Sequence, residues 1–361
     1  MPPELIPDIL LANSLKISEN IDLAPLTTLK IGGRARLFTR AENEAQVALA
    51  VKYAAVNSLS LFVLGGGSNV LISDRGFDGL VVQIGIRGIE ACEISETKSP
   101  SDQISIRVGA GEDWDSFVEY CIESDLSGLE CLSGIPGLVG GTPVQNVGAY
   151  GQEVSETISS VWCFDRNTHE FITLAGRDCG FSYRTSIFNS SERERYIVLN
   201  VTFSLKKNGK PKIVYKDLAE HFRNSTPTLS EVREAVLAIR RSKSMVIDPN
   251  DPNTRSAGSF FKNPIVDPAK LTEIRASFPN APAFPFEDKV KIPAAWLIEH
   301  AGFEKGFHLA GAGISTKHTL ALINRRDATA AQIIDLKDTI QARVSEKFGI
   351  PLIPEPVFIG F

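Results

Sequence analysis

Between Ser133 and Gly151 the chain reads Ser-Gly-Ile-Pro-Gly-Leu-Val-Gly-Gly-Thr-Pro-Val-Gln-Asn-Val-Gly-Ala-Tyr-Gly, and no other stretch constrains the fold as strongly. Gly134, Gly137, Gly140, Gly141, Gly148 and Gly151 crowd it, with Gly128 just upstream. Glycine reaches backbone angles closed to other residues and lets a ligand approach the main chain. Pro136 and Pro143 each fix a φ angle, so the run is stiff and unlike a linker. A stiff glycine-rich loop carrying Gln145, Asn146 and Tyr150 suits a flat polar ligand with a diphosphate. Composition alone weighs that equally against a plain surface loop. A second loop of the same kind, Leu64-Gly-Gly-Gly-Ser-Asn69, follows directly on an apolar strand and moves the balance towards a ligand.

With 361 residues, the chain has length for two or three domains with full cores. Its net charge of -5 argues against general affinity for nucleic acid or acidic membranes, so an anionic ligand needs a local cluster of cations. Cys92, Cys121, Cys131, Cys163 and Cys179 are scattered, without Cys-x-x-Cys spacing. That pattern fits reduced thiols better than a disulfide framework or a zinc site, and no metal is expected. Glu4 and Asp8 precede any lysine, which is unlike a signal peptide, and no apolar run has membrane-spanning length. The expectation is a soluble cytoplasmic protein, monomeric, with no nucleic-acid or membrane partner.

Hydrophobic periodicity predicts helices over Glu42–Asn57, Trp114–Ser124, Ala294–Ala301 and Ala330–Phe348. Thr228-Leu-Ser-Glu231 is a capping box that opens another, through Val232, Val236 and Ile239. Strands are predicted at Arg36–Thr39, Leu61–Leu64, Leu80–Ile84, Ile104–Val108, Val161–Asp165 and Tyr196–Phe203. Residues 1–25 read as a poorly ordered or docking arm. The prolines of Pro351–Phe361 predict an extended tail. The class is α+β, with no internal repeat.

Gly-x-Gly-x-x-Gly between a strand and a helix, the P-loop signature and His-Glu-x-x-His are all missing. The Gly134/Gly137/Gly140 spacing lacks the strand–turn–helix context of a dinucleotide fingerprint. Four further segments stand out. Arg184 lies in Phe181-Ser-Tyr-Arg-Thr-Ser186, and Tyr215 in Lys212-Ile-Val-Tyr-Lys-Asp-Leu218. Ser259 sits between a glycine and two aromatics in Ala257-Gly-Ser-Phe-Phe-Lys-Asn-Pro264, and Glu355 between Pro354 and Pro356. Singly, each reads better as an ion pair, a core residue, a turn residue and a stiff tail than as a site.

Jointly and in this order, the segments resemble the UDP-N-acetylenolpyruvoylglucosamine reductase family (UDP-N-acetylmuramate dehydrogenase, MurB type) of peptidoglycan synthesis. Thr28-Leu-Lys-Ile-Gly-Gly33, Leu64–Val70, Gly134–Gly137 and Gln145–Gly151 look like its flavin loops. The segments around Arg184, Ser259 and Glu355 look like its active-site segments. The resemblance runs from about residue 25 to the C-terminus and fits the subclass with a tyrosine-bearing substrate loop.

The resemblance implies a two-subdomain FAD-binding fold of the vanillyl-alcohol-oxidase/PCMH type, plus a C-terminal α+β substrate-binding domain. Divided accordingly, the chain has an arm at 1–24, FAD-binding subdomains at 25–88 and 89–248, a substrate domain at 249–348 and a terminal strand at 349–361. The substrate loop falls at about 207–248. FAD, held non-covalently, would lie against Gly65, Gly66, Gly67, Ser68, Asn69, Gly134, Ile135, Gly137, Gly141, Gln145, Asn146, Gly148, Ala149 and Tyr150. NADPH would supply hydride. Arg184, Ser259 and Glu355 would form the catalytic set, and Tyr215, Lys243 and Asn263 would contact the substrate diphosphate. The tail departs from the family at Ile353, where a carboxylate is frequent, and at Pro356. The rival readings are a sugar or alcohol oxidase on the same fold and a UDP-sugar-binding protein without catalysis.

Overall fold

The computed structural model describes residues 15–92 and 102–361, which fall into two compact units. One comprises Met1–Ile21 where described, Ala35–Gly67 and Phe77–Arg241; the other comprises Asp22–Arg34, Ser68–Gly76 and Ser242–Phe361. These units are not the contiguous blocks that the sequence suggests. The Thr28–Gly33 segment and Ser68–Asn69, read as parts of an N-terminal FAD subdomain, pack with the C-terminal residues.

In the first unit, a four-stranded sheet runs in the order Ser18–Asp22, Arg34–Ala41, Phe77–Ile84, Ser60–Leu64. The last three are mutually parallel. The helix Glu44–Val56 makes the crossover, capped by Asn43, whose side chain accepts from Gln46 N. Residues 1–25 read as a poorly ordered or docking arm; the edge strand Ser18–Asp22 accords with docking, and Leu15 and Leu23 are buried. Met1–Ser14 lie outside the described residues.

An antiparallel sheet follows, built on the strand Tyr196–Lys207 between Ile158–Asp165 and Gln103–Gly109. The helix Trp114–Glu123 buries Trp114, Phe117, Val118, Cys121 and Ile122. Trp114, Phe117 and Phe203 pack with ring centroids 5.1–6.0 Å apart, a spacing at which aromatic pairs add to simple burial. The 207–248 segment carries two helices, Lys216–His221 and Leu229–Ser242, where the sequence suggests one helix in a long connection. Thr228 and Glu231 bond reciprocally at the start of the second, as the capping box requires.

The second unit is assembled from segments distant in sequence. Val70–Ile72 pairs in parallel with Val357–Ile359, so the tail closes on the residues after the triple glycine. Both carboxylate oxygens of Asp74 accept from the start of the helix Ala330–Phe348, from Ala330 N at 2.7 Å and Ala331 N at 3.0 Å. That helix buries Ile333, Leu336, Ile340, Val344 and Phe348, the face its periodicity predicts. Leu29 and Ile31 belong to the same core, and Asn324 Nδ2 donates to Leu29 O.

Candidate active site

Two glycine-rich loops meet main chain to main chain in the first unit. A Cβ on Gly66 would come within 2.8 Å of Gly137 Cα, and one on Gly140 within 2.5 Å of Ala110 Cβ. A side chain at Gly66 would force the loops apart, and one at Gly140 would push its loop off Ala110. Gly65 and Gly141, by contrast, face open space. Gly134 N donates to Asp115 Oδ1 at 2.5 Å, and Arg233 grips that carboxylate through both terminal nitrogens at 2.6 and 3.0 Å. Ile135 and Ala149 are partly buried against the core of this unit.

Asn146 is buried, with φ at +45°. Its Nδ2 donates to Glu153 Oε2 at 2.7 Å and Ser182 O at 3.0 Å, and its Oδ1 accepts from Ser155 N. The side chain read as a cofactor contact therefore serves as an internal brace. The Asn146 carbonyl accepts from Arg184 Nη1 at 3.4 Å, and the Gly148 carbonyl from Nη2 at 2.6 Å. Arg184 itself stands at φ +53°, in a turn closed by Ser182 and Thr185, where the sequence suggests a strand end. Left-handed angles at non-glycine residues cost free energy and gather at functional sites. The structure thus brings the candidate catalytic arginine onto the Gln145–Gly151 loop.

Tyr150, at φ +49°, meets the Tyr215 ring edge-on at 5.2 Å. Burial pushes the Tyr150 hydroxyl pKa up, against the buried Arg240 guanidinium that hydrogen-bonds to it and pulls it down. Burial raises the Tyr215 hydroxyl as well, with Asp217 adding to the effect. Tyr215 immediately precedes the helix Lys216–His221 and is 38 % exposed.

In the second unit, Ser259 follows Gly258, which has φ +72°. The segment is anchored from Thr28, whose hydroxyl donates to Ser256 O at 2.6 Å. Phe261 bridges Pro354 antiparallel, Glu355 N donates to Phe260 O at 2.9 Å, and Lys262 N to Ile353 O at 2.9 Å. Ser259 and Glu355 therefore sit on adjoining extended segments, one residue out of register. Asn69 clamps the same place: its Nδ2 donates to Glu355 O at 3.3 Å, and its carbonyl accepts from Val357 N at 3.0 Å. Asn263 Oδ1 accepts from Ala294 N at 2.8 Å and so caps the helix Ala294–His300. Lys243 is half-buried at the end of the helix Leu229–Ser242, before Ser244, whose hydroxyl donates to Asp251 at 2.6 Å.

Sequence reasoning passed over Asp115, Glu130, Gln152, Arg233 and Arg240, all of which buttress the glycine-rich loops. A signal existed for one of them, since Glu130 interrupts the apolar run Leu129-Glu-Cys-Leu132. Among the described residues, no group of His, Cys, Asp and Glu could hold a metal ion, and no helix is long and apolar enough to cross a membrane.

Residues 35–168 match the family model of an FAD binding domain, and residues 249–359 match that of the UDP-N-acetylenolpyruvoylglucosamine reductase C-terminal domain. The chain is 44 % identical over 356 residues to the UDP-N-acetylenolpyruvoylglucosamine reductase of Thermobifida fusca, covering 95 % of this chain and 98 % of that one. It is 43 % identical to the enzyme of that name from Streptomyces coelicolor, over 94 % of this chain and 89 % of the other. The solved structure of the Thermus caldophilus reductase superposes with a TM-score of 0.63 at 24 % identity, covering 96 % of this chain and 98 % of that one. Two glycine-rich loops, the arginine that one of them holds and a serine–glutamate pair on adjoining segments accord with these matches, and the chain belongs to the UDP-N-acetylenolpyruvoylglucosamine reductase family.

Proposed function

We infer that the protein reduces UDP-N-acetylglucosamine enolpyruvate to UDP-N-acetylmuramate with NADPH and FAD, in peptidoglycan precursor synthesis. Close relatives carrying the reductase name along their whole length support this reading. The observation that carries it is Arg184, fixed by two carbonyls of a glycine-rich loop. The loops fit FAD, since Gly66 against Gly137 and Gly140 against Ala110 close them while Gly65 and Gly141 leave a cradle that a side chain would fill. Residues 65–69 and 134–150 would hold it, through backbone groups where side chains such as those of Asn69 and Asn146 are engaged internally. When bound, FAD takes hydride from NADPH and makes it available to the enolpyruvyl double bond.

The chain's own residues manage the resulting charge. Hydride arrival at C3 leaves negative charge at C2, spread into the carboxylate as an enolate. The Arg184 guanidinium, permanently charged and planar, is suited to bind that enolate. One preorganised donor of this kind is worth ~10²–10³ in rate. Glu355 serves in its protonated form, hydrogen-bonding the enolate. Ser259 then gives its hydroxyl proton to C2. Tyr215, Lys243 and Asn263 hold the diphosphate, with Lys243 providing positive charge on an otherwise acidic chain. On this reading the blocks 25–88 and 89–248 serve FAD and 249–348 serves substrate, in a cytoplasmic monomer.

The test is direct. The purified protein is expected to be yellow and to release FAD on acid denaturation, because neither glycine-rich loop contains a His or Cys for covalent attachment. NADPH oxidation should depend on the UDP-substrate and yield little peroxide. Substrate-independent oxidation with stoichiometric peroxide would identify an oxidase instead.

A further inference from the structure

The strap Lys212–Tyr215 lies along the loop Tyr150–Gln152: Lys212 and Gln152 share Glu130, Val214 lies over Gly151, and Tyr215 meets Tyr150. At the base lies Glu130, 1 % exposed. Its Oε1 accepts from Lys212 N at 2.9 Å and from Gln152 Nε2 at 2.7 Å, and its Oε2 from Gly128 N at 2.8 Å. Gln152 Oε1 accepts from Cys131 N at 2.8 Å, and the Cys131 thiol donates to Lys212 O at 3.3 Å. Both backbone groups of Lys212 are thereby fixed. Two residues on, Val214 lies over Gly151, where a Cβ would stand 2.3 Å from Val214 Cγ2. At the far end, the Tyr150 and Tyr215 rings touch.

We propose that Glu130 is a positioning residue for Tyr215: its buried carboxylate pins the base of the strap to the flavin-type loop and so sets where the tyrosine meets the substrate. This rests on the reading of Tyr215 as a diphosphate contact. A carboxylate is suited to the junction because it only accepts, through two oxygens, and every group facing it is a donor. Leucine in its place accepts from none of those donors, so all three bonds fail. The strap would then stay attached through Ile213, which packs beside Cys131, Leu218 and Val236, but without a fixed register.

Glu130→Leu tests this with the full-length flavoprotein. FAD content should match the wild type. KM for UDP-N-acetylglucosamine enolpyruvate, and its Kd measured from the visible spectrum, should rise about tenfold, equivalent to ~1.4 kcal/mol. The kcat should stay within about twofold. In a Tyr215→Phe background the same substitution should add nothing, because both changes act on one interaction. An unchanged KM, or a rise that simply multiplies with that of Tyr215→Phe, would overturn the proposal. Loss of FAD from soluble protein would overturn it too, by showing that Glu130 serves the loop alone. If the variant is insoluble, Lys212→Pro removes the N–H that Glu130 accepts together with the Nζ bonds to Glu156, and Lys212→Ala removes the Nζ bonds alone; a KM rise in the proline variant beyond that of the alanine variant, absent in a Tyr215→Phe background, is expected. A wild-type protein that does not turn over the UDP-substrate would defeat the underlying reading, which separates that failure from this one.

Discussion

Arg184 and Ser259 are held by opposite means. Around Arg184 the backbone is bent into left-handed angles at Asn146, Tyr150 and Arg184 itself, and buried polar side chains brace it: Asn146 on Glu153 and Ser182, Gln152 on Glu130. Ser259 follows the left-handed Gly258, but from Phe260 the chain is extended and the support is backbone pairing, Phe261 with Pro354 and Glu355 N with Phe260 O, flanked by Thr28 and Asn69. The contrast matches the roles proposed for the two groups. A cation that stabilises developing charge works best when it cannot reorganise, and fixed carbonyls aim it before any substrate arrives. A proton donor needs only to stand within hydrogen-bond reach of its acceptor. Two adjoining segments, with Ser259 and Glu355 one residue out of register, supply that.

The largest effect should come from the extended side. In Ser259→Ala, NADPH should still bleach the flavin at nearly the wild-type rate, because the hydroxyl acts only on the enolate. Reoxidation by the UDP-substrate should slow ~10²–10⁴-fold. Removing one oxygen from a half-buried site leaves folding and FAD content intact. Stopped-flow absorbance resolves the two halves, and equal slowing of both would show that Ser259 positions the flavin or the nicotinamide.

Next in size is a change on the braced side. Tyr215→Phe keeps the ring contact with Tyr150 and loses the hydroxyl, so substrate KM should rise by the equivalent of ~1.5–3 kcal/mol if the bond to phosphate is dry, and less if it is wet. FAD affinity should hardly change. A sharp fall in bound FAD would mean that the Tyr150–Tyr215 contact supports the loop rather than the substrate.

The smallest effect should fall on the clamp. Asn69→Ala deletes the bond from Nδ2 to Glu355 O, worth ~0.5–1.5 kcal/mol, and should slow only reoxidation, by about two- to tenfold. Loss of FAD with normal reoxidation would instead make Asn69 a cofactor ligand, as the sequence reading has it.

Asn69 also shows where sequence stops being informative. An amide at a loop looks the same in sequence whether it meets a ligand, the protein's own backbone or both, so the internal partners of Asn69, Asn146 and Asn263 have no trace there. Here each has an internal partner: Glu355 O, Glu153 with Ser182 O, and Ala294 N. Local signals fared better. The helix at Leu229 was legible from Thr228 and Glu231, and Ala330–Phe348 from its periodicity, because caps and amphipathic faces are written within a few residues. The pairing of Val70–Ile72 with Val357–Ile359 has no local trace, so the assignment of 68–76 to the C-terminal unit could not be read. The strand Ser18–Asp22 was hidden by its polar, half-exposed composition at the sheet edge.

The central claim is that one protein carries reducing equivalents from NADPH to an enolpyruvyl double bond. Anaerobic titration of the wild-type protein, followed at the visible flavin bands, tests it most directly. NADPH should bleach the colour, and one equivalent of UDP-N-acetylglucosamine enolpyruvate, added without oxygen, should restore it while UDP-N-acetylmuramate appears by mass spectrometry. Colour that returns only when air is admitted, with the UDP-substrate unchanged, would contradict the account.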